Sequence, residues 1–284
     1  MKGALQRLRA GLPVGSDVDA MFILPLALVA LWSLIALFGP MLALKPNQVD
    51  LPHILAAPTW SLPLGADDLG RPVLDRLLVG ARTSFVVGVG VVVLSAFAGA
   101  LIGAIAGFAG GWIDLAVVRV IDVFLAFPGI LLAIALAGIL GPGIGNVIVA
   151  LSVVGWVGYA RLARAQILSL ATREHVIAAR ALGARPTRIL LRHLLPLAFA
   201  PLIVEATFGI AAAVIAEAGL SFLGLGVQPP SASWGSMIRD GVGYMLVSPH
   251  LVIAPGIAVM VVVLAVNLLG DRLRDRLDVR TRAD

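Results

Sequence analysis

Cysteine is absent from the 284 residues, and lysine occurs only twice, at Lys2 and Lys45. The first absence removes disulfides, thiolate zinc sites and cysteine nucleophiles together. The second excludes a phosphate-cradling Walker A loop, which needs Gly directly before Lys, because Met1 and Leu44 precede the two lysines. Any nucleotide energy that this chain uses must come from another polypeptide. Charge is scarce too: 13% of residues are Asp, Glu, Lys or Arg, against about 25% in ordinary soluble domains. His53, His175, His193 and His250 are scattered and do not stand with carboxylates at ligand spacing, so no metal site is expected. Paired catalytic carboxylates, a protease helix motif and a serine elbow are all missing. No catalytic residue is assigned, and the chain is not expected to be an enzyme.

What is present is apolar. At 60% hydrophobic, the sequence holds too few polar side chains to cover a water-soluble globule of this size. Six stretches are apolar enough to cross about 30 Å of hydrocarbon: 22–44, 83–108, 115–140, 144–159, 196–223 and 251–269. Helices satisfy their own backbone hydrogen bonds in lipid, so the expected fold class is an all-α membrane protein with six transmembrane helices. With the N-terminus inside, sixteen of the 21 basic residues face the cytoplasm: Lys2, Arg7, Arg9, Arg119, the arginines from Arg161 to Arg192, and those from Arg272 to Arg282. Lys45, Arg71, Arg76, Arg82 and Arg239 fall outside. This bias predicts both termini in the cytoplasm. It also accounts for the net charge of +5 without nucleic acid as a partner.

The chain then divides into a cytoplasmic N-terminus (1–21), a six-helix membrane domain (22–270) and a cytoplasmic tail (271–284). The first span is longer than a secretory signal core and is read as an uncleaved anchor. Residues 45–82 and 225–249 form outer segments. Pro46, Pro52, Pro58 and Pro63 break the first half of 45–82, and its second half, from Asp67, is expected to lie as a helix along the membrane surface. Gly99, Gly103 and Gly107 form a small-residue stripe down the second span, expected to mark close helix packing. Charged residues at membrane depth usually face a cavity or a partner. Arg119 and Asp122, three apart, read as a structural pair. Glu205 and Glu217 in the fifth span are candidates for the lining of a translocation pathway, Glu217 equally for tethering helices and Glu205 nearer to a structural role.

The longest inner segment, 161–195, contains Arg173-Glu-His-Val-Ile-Ala-Ala-Arg-Ala-Leu-Gly-Ala-Arg-Pro and runs on to His193-Leu-Leu-Pro196. It predicts a short helix ended near Gly183, with Pro186 in the first turn of the next helix. Ala178 and Ala179 leave a low-profile face for a partner's approach. Here the chain resembles the membrane-spanning subunits of binding-protein-dependent ABC importers. Their signature is Glu-Ala-Ala, three residues, Gly, nine residues, then Ile-x-Leu-Pro. Ala178, Ala179, Gly183, Leu195 and Pro196 match, while Ile177 and His193 depart from it. The segments beginning Leu64-Gly-Ala-Asp-Asp-Leu-Gly-Arg, Gly219-Leu-Ser-Phe-Leu-Gly-Leu-Gly and Asn267-Leu-Leu-Gly-Asp-Arg are similar to the dipeptide, oligopeptide and nickel permeases, C-type.

That resemblance implies a type I ABC importer permease fold in a bacterial plasma (inner) membrane. It implies a homologous B-type permease, two ABC ATPase subunits and an extracytoplasmic solute-binding protein as partners. The chain would bind no cofactor itself, ATP and Mg being held by the ATPases. Glu174, His175, Ile177, Ala178, Ala179, Leu182, Gly183 and Pro196 would couple to an ATPase. Asp67, Asp68, Arg71, Gln228, Trp234 and Arg239 are the candidates for contact with the binding protein, and Pro128 and Pro196 for kinks. Di- or oligopeptides are the expected cargo, with nickel or another small solute as the alternative within the family. An ion-coupled secondary transporter using Glu205 and Glu217 is the alternative from another class.

Overall fold

The computed structural model describes residues 16–277. The ends 1–15 and 278–284, with Lys2, Arg7, Arg9, Arg280 and Arg282, lie outside the described residues, so the charge reading of the termini is only partly represented. Among the described residues all regular structure is helical, apart from one isolated bridge between Ala66 and Pro72. The helices are α1 (Ser16–Phe38), α2 (Val73–Ala109), α3 (Gly111–Leu125), α4 (Gly129–Leu140) and α5 (Ile144–Ala171). They continue with α6 (Glu174–Ala181), α7 (Pro186–Phe222), α8 (Trp234–Val242) and α9 (His250–Leu277). Five of them, α1, α2, α5, α7 and α9, are long and apolar enough to cross a membrane.

The third expected span is not a single rod. It is the pair α3 and α4, bent by 85° between Leu125 and Gly129. Pro128 is responsible: it has no amide hydrogen, and its ring disfavours helical backbone at Phe127. Two further expectations are corrected. Helix α2 does not lie flat at a membrane surface before its span; it starts at Val73 and runs 37 residues without a break. No proline interrupts that stretch, and Pro72 supplies a stop only at its start. Helix α5 continues past 159 to Ala171, because Arg, Leu, Ala and Gln at 161–166 are good helix formers. Helix α7 starts at Pro186, in its first turn as expected, and so begins ahead of the apolar stretch 196–223.

Within α7 the ladder widens to a π turn over Ile189–Leu194, where the amide of Leu195 donates to Leu190. Pro196 follows at once. It has no amide to offer the carbonyl of Arg192, and its ring crowds that carbonyl, so the wider turn absorbs the misfit.

α2 packs lengthwise against α5 and, on another side, against α7. The glycine stripe makes the first contact possible. A Cβ on Gly99 would lie 2.3 Å from the Trp156 carbonyl oxygen, and one on Gly103 would lie 2.1 Å from that of Ala160. α9 packs on α7, α1 covers α9 and α2, and α8 wedges between α7 and α9 at the end away from α6. Outside this core the lateral surface carries Leu24, Leu31, Phe97, Val123 and Ile139, all exposed as a lipid-facing surface requires.

Candidate functional site

Helix α6 stands almost free of the bundle. Arg173 enters it in extended conformation, Glu174 occupies its first turn and Arg180 its last, each charge suiting its end of the helix dipole. Val176 alone is fully buried, in a cluster with Ile167, Leu170, Ile189, Leu194 and Ala198 from α5 and α7. Burying one valine contributes about 1.5–3 kcal/mol, enough to fix the orientation of a helix this short. A Schellman motif closes the far end: the Gly183 amide donates to Arg180 and the Ala184 amide to Ala179, both at 3.0 Å. Gly183 has φ of 77°, a left-handed conformation that glycine adopts without strain.

The face left outward is the one the sequence singles out. Glu174, His175, Ile177, Ala178, Leu182, Gly183 and Pro196 are exposed, and Ala179 is half-buried. Leu182 is 88% exposed and Ile177 55%, two apolar side chains that the described residues leave largely uncovered.

At the opposite end, charged groups tie three segments together. Asp67 accepts from the backbone amides of Leu69 and Arg71 at 3.0 and 2.9 Å and from Arg71 Nε at 2.7 Å. Arg76 Nε lies 3.4 Å from Asp67, and its Nη2 lies 4.0 Å from Asp240, which pairs with Arg239 at 3.0 Å. Trp234 donates its indole N–H to the Leu77 carbonyl at 3.0 Å and stacks on Trp32. The six residues expected at a docking face are thereby divided. Asp67, Arg71 and Trp234 are only 9%, 9% and 3% exposed, which withdraws them from any such face and makes them its support. Gln228 is exposed, and Asp68 and Arg239 are partly so.

Glu217 lies beneath this end, fully buried. Its carboxylate accepts from Ser84 Oγ of α2 at 3.2 Å and from Ser221 Oγ of α7 at 2.7 Å. Ser221 Oγ in turn accepts from the Val227 amide at 3.3 Å, and the Ser233 hydroxyl interacts with the carboxylate as well. Ser233 also caps α8 in a reciprocal box with Ser236. The burial leaves Glu217 within packing, whereas Glu205 is exposed and lines two cavities.

Arg119 and Asp122 do lie 3.9 Å apart, but with 75% and 55% of their side chains exposed they hold little together. The ion pair that matters at the α6 end is one the sequence does not reveal. Arg164 of α5 grips Asp114 of α3 through both nitrogens, Nη2 to Oδ2 at 2.7 Å. Fifty positions separate the two, so no local spacing signals the contact. Val176 goes unnoticed for a related reason, since one buried residue in eight makes no periodic pattern.

A bundle of long apolar helices with one small exposed helix at its end defines a polytopic membrane protein. A family model, the binding-protein-dependent transport system inner membrane component, matches residues 99–283. The chain belongs to that family. The dipeptide transport system permease protein DppC of Alkalihalophilus pseudofirmus is 40% identical over 262 residues, covering 92% of this chain and 86% of the relative. The glutathione transport system permease protein GsiD of Pectobacterium atrosepticum is 40% identical over 237 residues, with 84% and 79% covered. Among solved structures, the MetNI methionine ABC transporter in an inward-facing conformation matches with a TM-score of 0.52 at 22% identity. That match covers 71% of this chain and 96% of the other, and it establishes the ABC importer permease fold. The protein is thus an inner-membrane permease of an ABC import system, a class that works with ATPases and binding proteins.

Proposed function

We propose that the chain forms one half of the membrane channel of an ATP-driven importer of di- or oligopeptides, paired with a homologous B-type permease. Two ATPase subunits, which hold ATP and Mg, hydrolyse the nucleotide, and an extracytoplasmic binding protein delivers the cargo. The chain itself contributes no catalytic group. The end bearing α6 faces the cytoplasm and the Asp67–Arg76–Asp240 end faces outward, in line with the arginine bias. The observation that carries this reading is α6, whose Ile177 and Leu182 lie bare on a helix that Val176 and the Schellman turn hold in place. Seated in a groove of an ATPase, α6 moves with it. Val176, packed on the last turn of α5 and the π turn of α7, passes that motion into two spans. The names of the relatives support peptide as cargo. Asp68, Gln228 and Arg239 remain the candidates for touching the binding protein.

Leu182→Asp tests the docking with least damage to the fold, because that side chain touches so little of this chain. Co-expressed with its partner subunits, the variant should insert normally and lose copurification with the ATPases, with uptake at least about tenfold lower. Gly183→Val should also abolish uptake, since valine resists the φ of 77° that terminates α6. Normal uptake and ATPase retention in Leu182→Asp would remove α6 from the coupling role.

A further inference from the structure

Glu205 is an acidic side chain at membrane depth that the packing does not use. It lies within the span Pro186–Phe222 and forms no ion pair with any described residue. It stands where two cavities meet. One, of about 330 Å³, is walled by α2, α4, α5 and α7 and lined largely by Val91, Val92, Ile130, Leu151 and Val154. The other, of about 470 Å³, is walled by α5, α7 and α9 and includes Gln166 and Arg274. Arg274 shares that second cavity, but the two side chains form no ion pair.

A second polar group waits beside it. Tyr159, on the wall of the first cavity, is 5% exposed, and its hydroxyl has no hydrogen-bond partner among the described residues. That hydroxyl lies against Gly209 of α7, where a Cβ would come within 2.2 Å of it, and Tyr159 and Glu205 line the same cavity. A carboxylate at membrane depth is costly unless a cation or another polar partner reaches it. Among the described residues no cation pairs with Glu205, which leaves its charge open to a cation carried by what passes through.

We propose that Glu205, with Tyr159 beside it, forms a subsite for the primary ammonium group of the solute being imported. The inference rests on the peptide reading above and deepens it: a peptide carries such an ammonium at its amino end. A charge-assisted N–H···O bond to Glu205 would hold that end while the apolar wall accepts side chains. The volume lies at the lower limit of the roughly 300–1,000 Å³ typical of small-molecule sites, which suits a short peptide. One such bond is worth about 1.5–3 kcal/mol, or about 10- to 100-fold, enough to guide a solute without trapping it.

Because the chain has no cysteine, a single cysteine can report on the cavity. Ala212 lines it and is exposed. In the assembled complex in lipid nanodiscs, Ala212→Cys is labelled with a trimethylammonium-ethyl or a sulfonatoethyl methanethiosulfonate, each rate normalised to free cysteine and read as mass added to this chain. The cationic reagent should react about tenfold faster, and Glu205→Gln should bring the ratio close to one. In parallel, Glu205→Gln should lower uptake of dialanine about tenfold when binding protein is saturating, and Glu205→Asp should restore most of it. A charge ratio that Glu205→Gln leaves unchanged overturns the subsite. So does a ratio that falls while dialanine uptake stays intact, because the cation would then be an inorganic ion. Failure of the unaltered complex to take up dialanine or any other peptide would count against the peptide reading, while the labelling ratio would still decide whether Glu205 faces a cation.

Discussion

Gly103→Val will separate α2 from α5 and prevent recovery of a folded protein. A Cβ at this position meets backbone, the Ala160 carbonyl oxygen at 2.1 Å and its carbon at 2.8 Å, and no rotamer change can relieve that. The helices would have to part by about 1 Å or more, and a gap of 0.5–1 Å already forfeits about a quarter to a half of each dispersion contact along the seam. In lipid no hydrophobic force pushes the helices back together, because the surrounding chains are as apolar as leucine. Overpacking in cores costs about 1–3 kcal/mol, and a clash with rigid backbone belongs at or above the top of that range. The neighbouring contact at Gly99 would open with it, as would the approach of Gly107 to Arg164, where a Cβ would lie 2.9 Å from the carbonyl oxygen. Gly138→Ala is the control, since nothing lies within 4 Å of a Cβ there. In detergent size-exclusion and thermal melting, Gly138→Ala should match the parent and Gly103→Val should aggregate or melt far lower. A monodisperse Gly103→Val of parental stability would mean that the stripe does not set the α2–α5 distance.

The stripe illustrates what could be read in advance. Four-residue spacing of glycine has one simple use in a membrane helix, so the contact was legible, although its partner helix was not. The ends of helices were legible where proline or glycine acts alone, as at Gly183 and Pro186, and were misjudged where apolarity was used as a proxy for helix. Arg161 and Arg164 are poor residues for a hydrocarbon core and good ones for a helix, so α5 outruns its apolar stretch. The same confusion of solvent with conformation laid the start of α2 on the membrane surface. Candidate site residues fared according to whether their role is local. The exposed face of α6 follows from eight consecutive residues and a cap. Asp67 and Trp234 also touch Arg76, Leu77 and Trp32, which come from other segments, whereas Arg71 pairs with its near neighbours Asp67 and Asp68. Polar residues in an outer loop read as surface until such partners bury them. Asp114 and Arg164 gave no signal for the same reason.

Glu217 has the other large expected effect, and its variants separate tethering from pathway lining. Glu217→Ala leaves the Ser84 and Ser221 hydroxyls facing a void in a fully buried place. Each orphaned hydroxyl costs about 1–3 kcal/mol, and breaking a buried charged network costs about 3–5 kcal/mol in all. The loss should spread along the connections: Ser221 would no longer be held for the Val227 amide, and Ser233 would be less firmly set to cap α8. α8 carries Trp234, which stacks on Trp32, so two of the five tryptophans contribute fluorescence from this end. For a protein of this length each kcal/mol shifts the melting temperature by about 2–4 °C, so a drop of at least about 6 °C is expected for Glu217→Ala. Glu217→Gln keeps the volume and one acceptor oxygen, and its amide can use Ser84 or Ser221 as acceptor in turn. It should melt within about 3 °C of the parent and retain most uptake. The opposite pattern, parental melting with uptake abolished in Glu217→Gln, would mean that the charge itself meets the cargo. Glu217 would then join Glu205 on the pathway, and the serines around it would be holding a functional carboxylate in place.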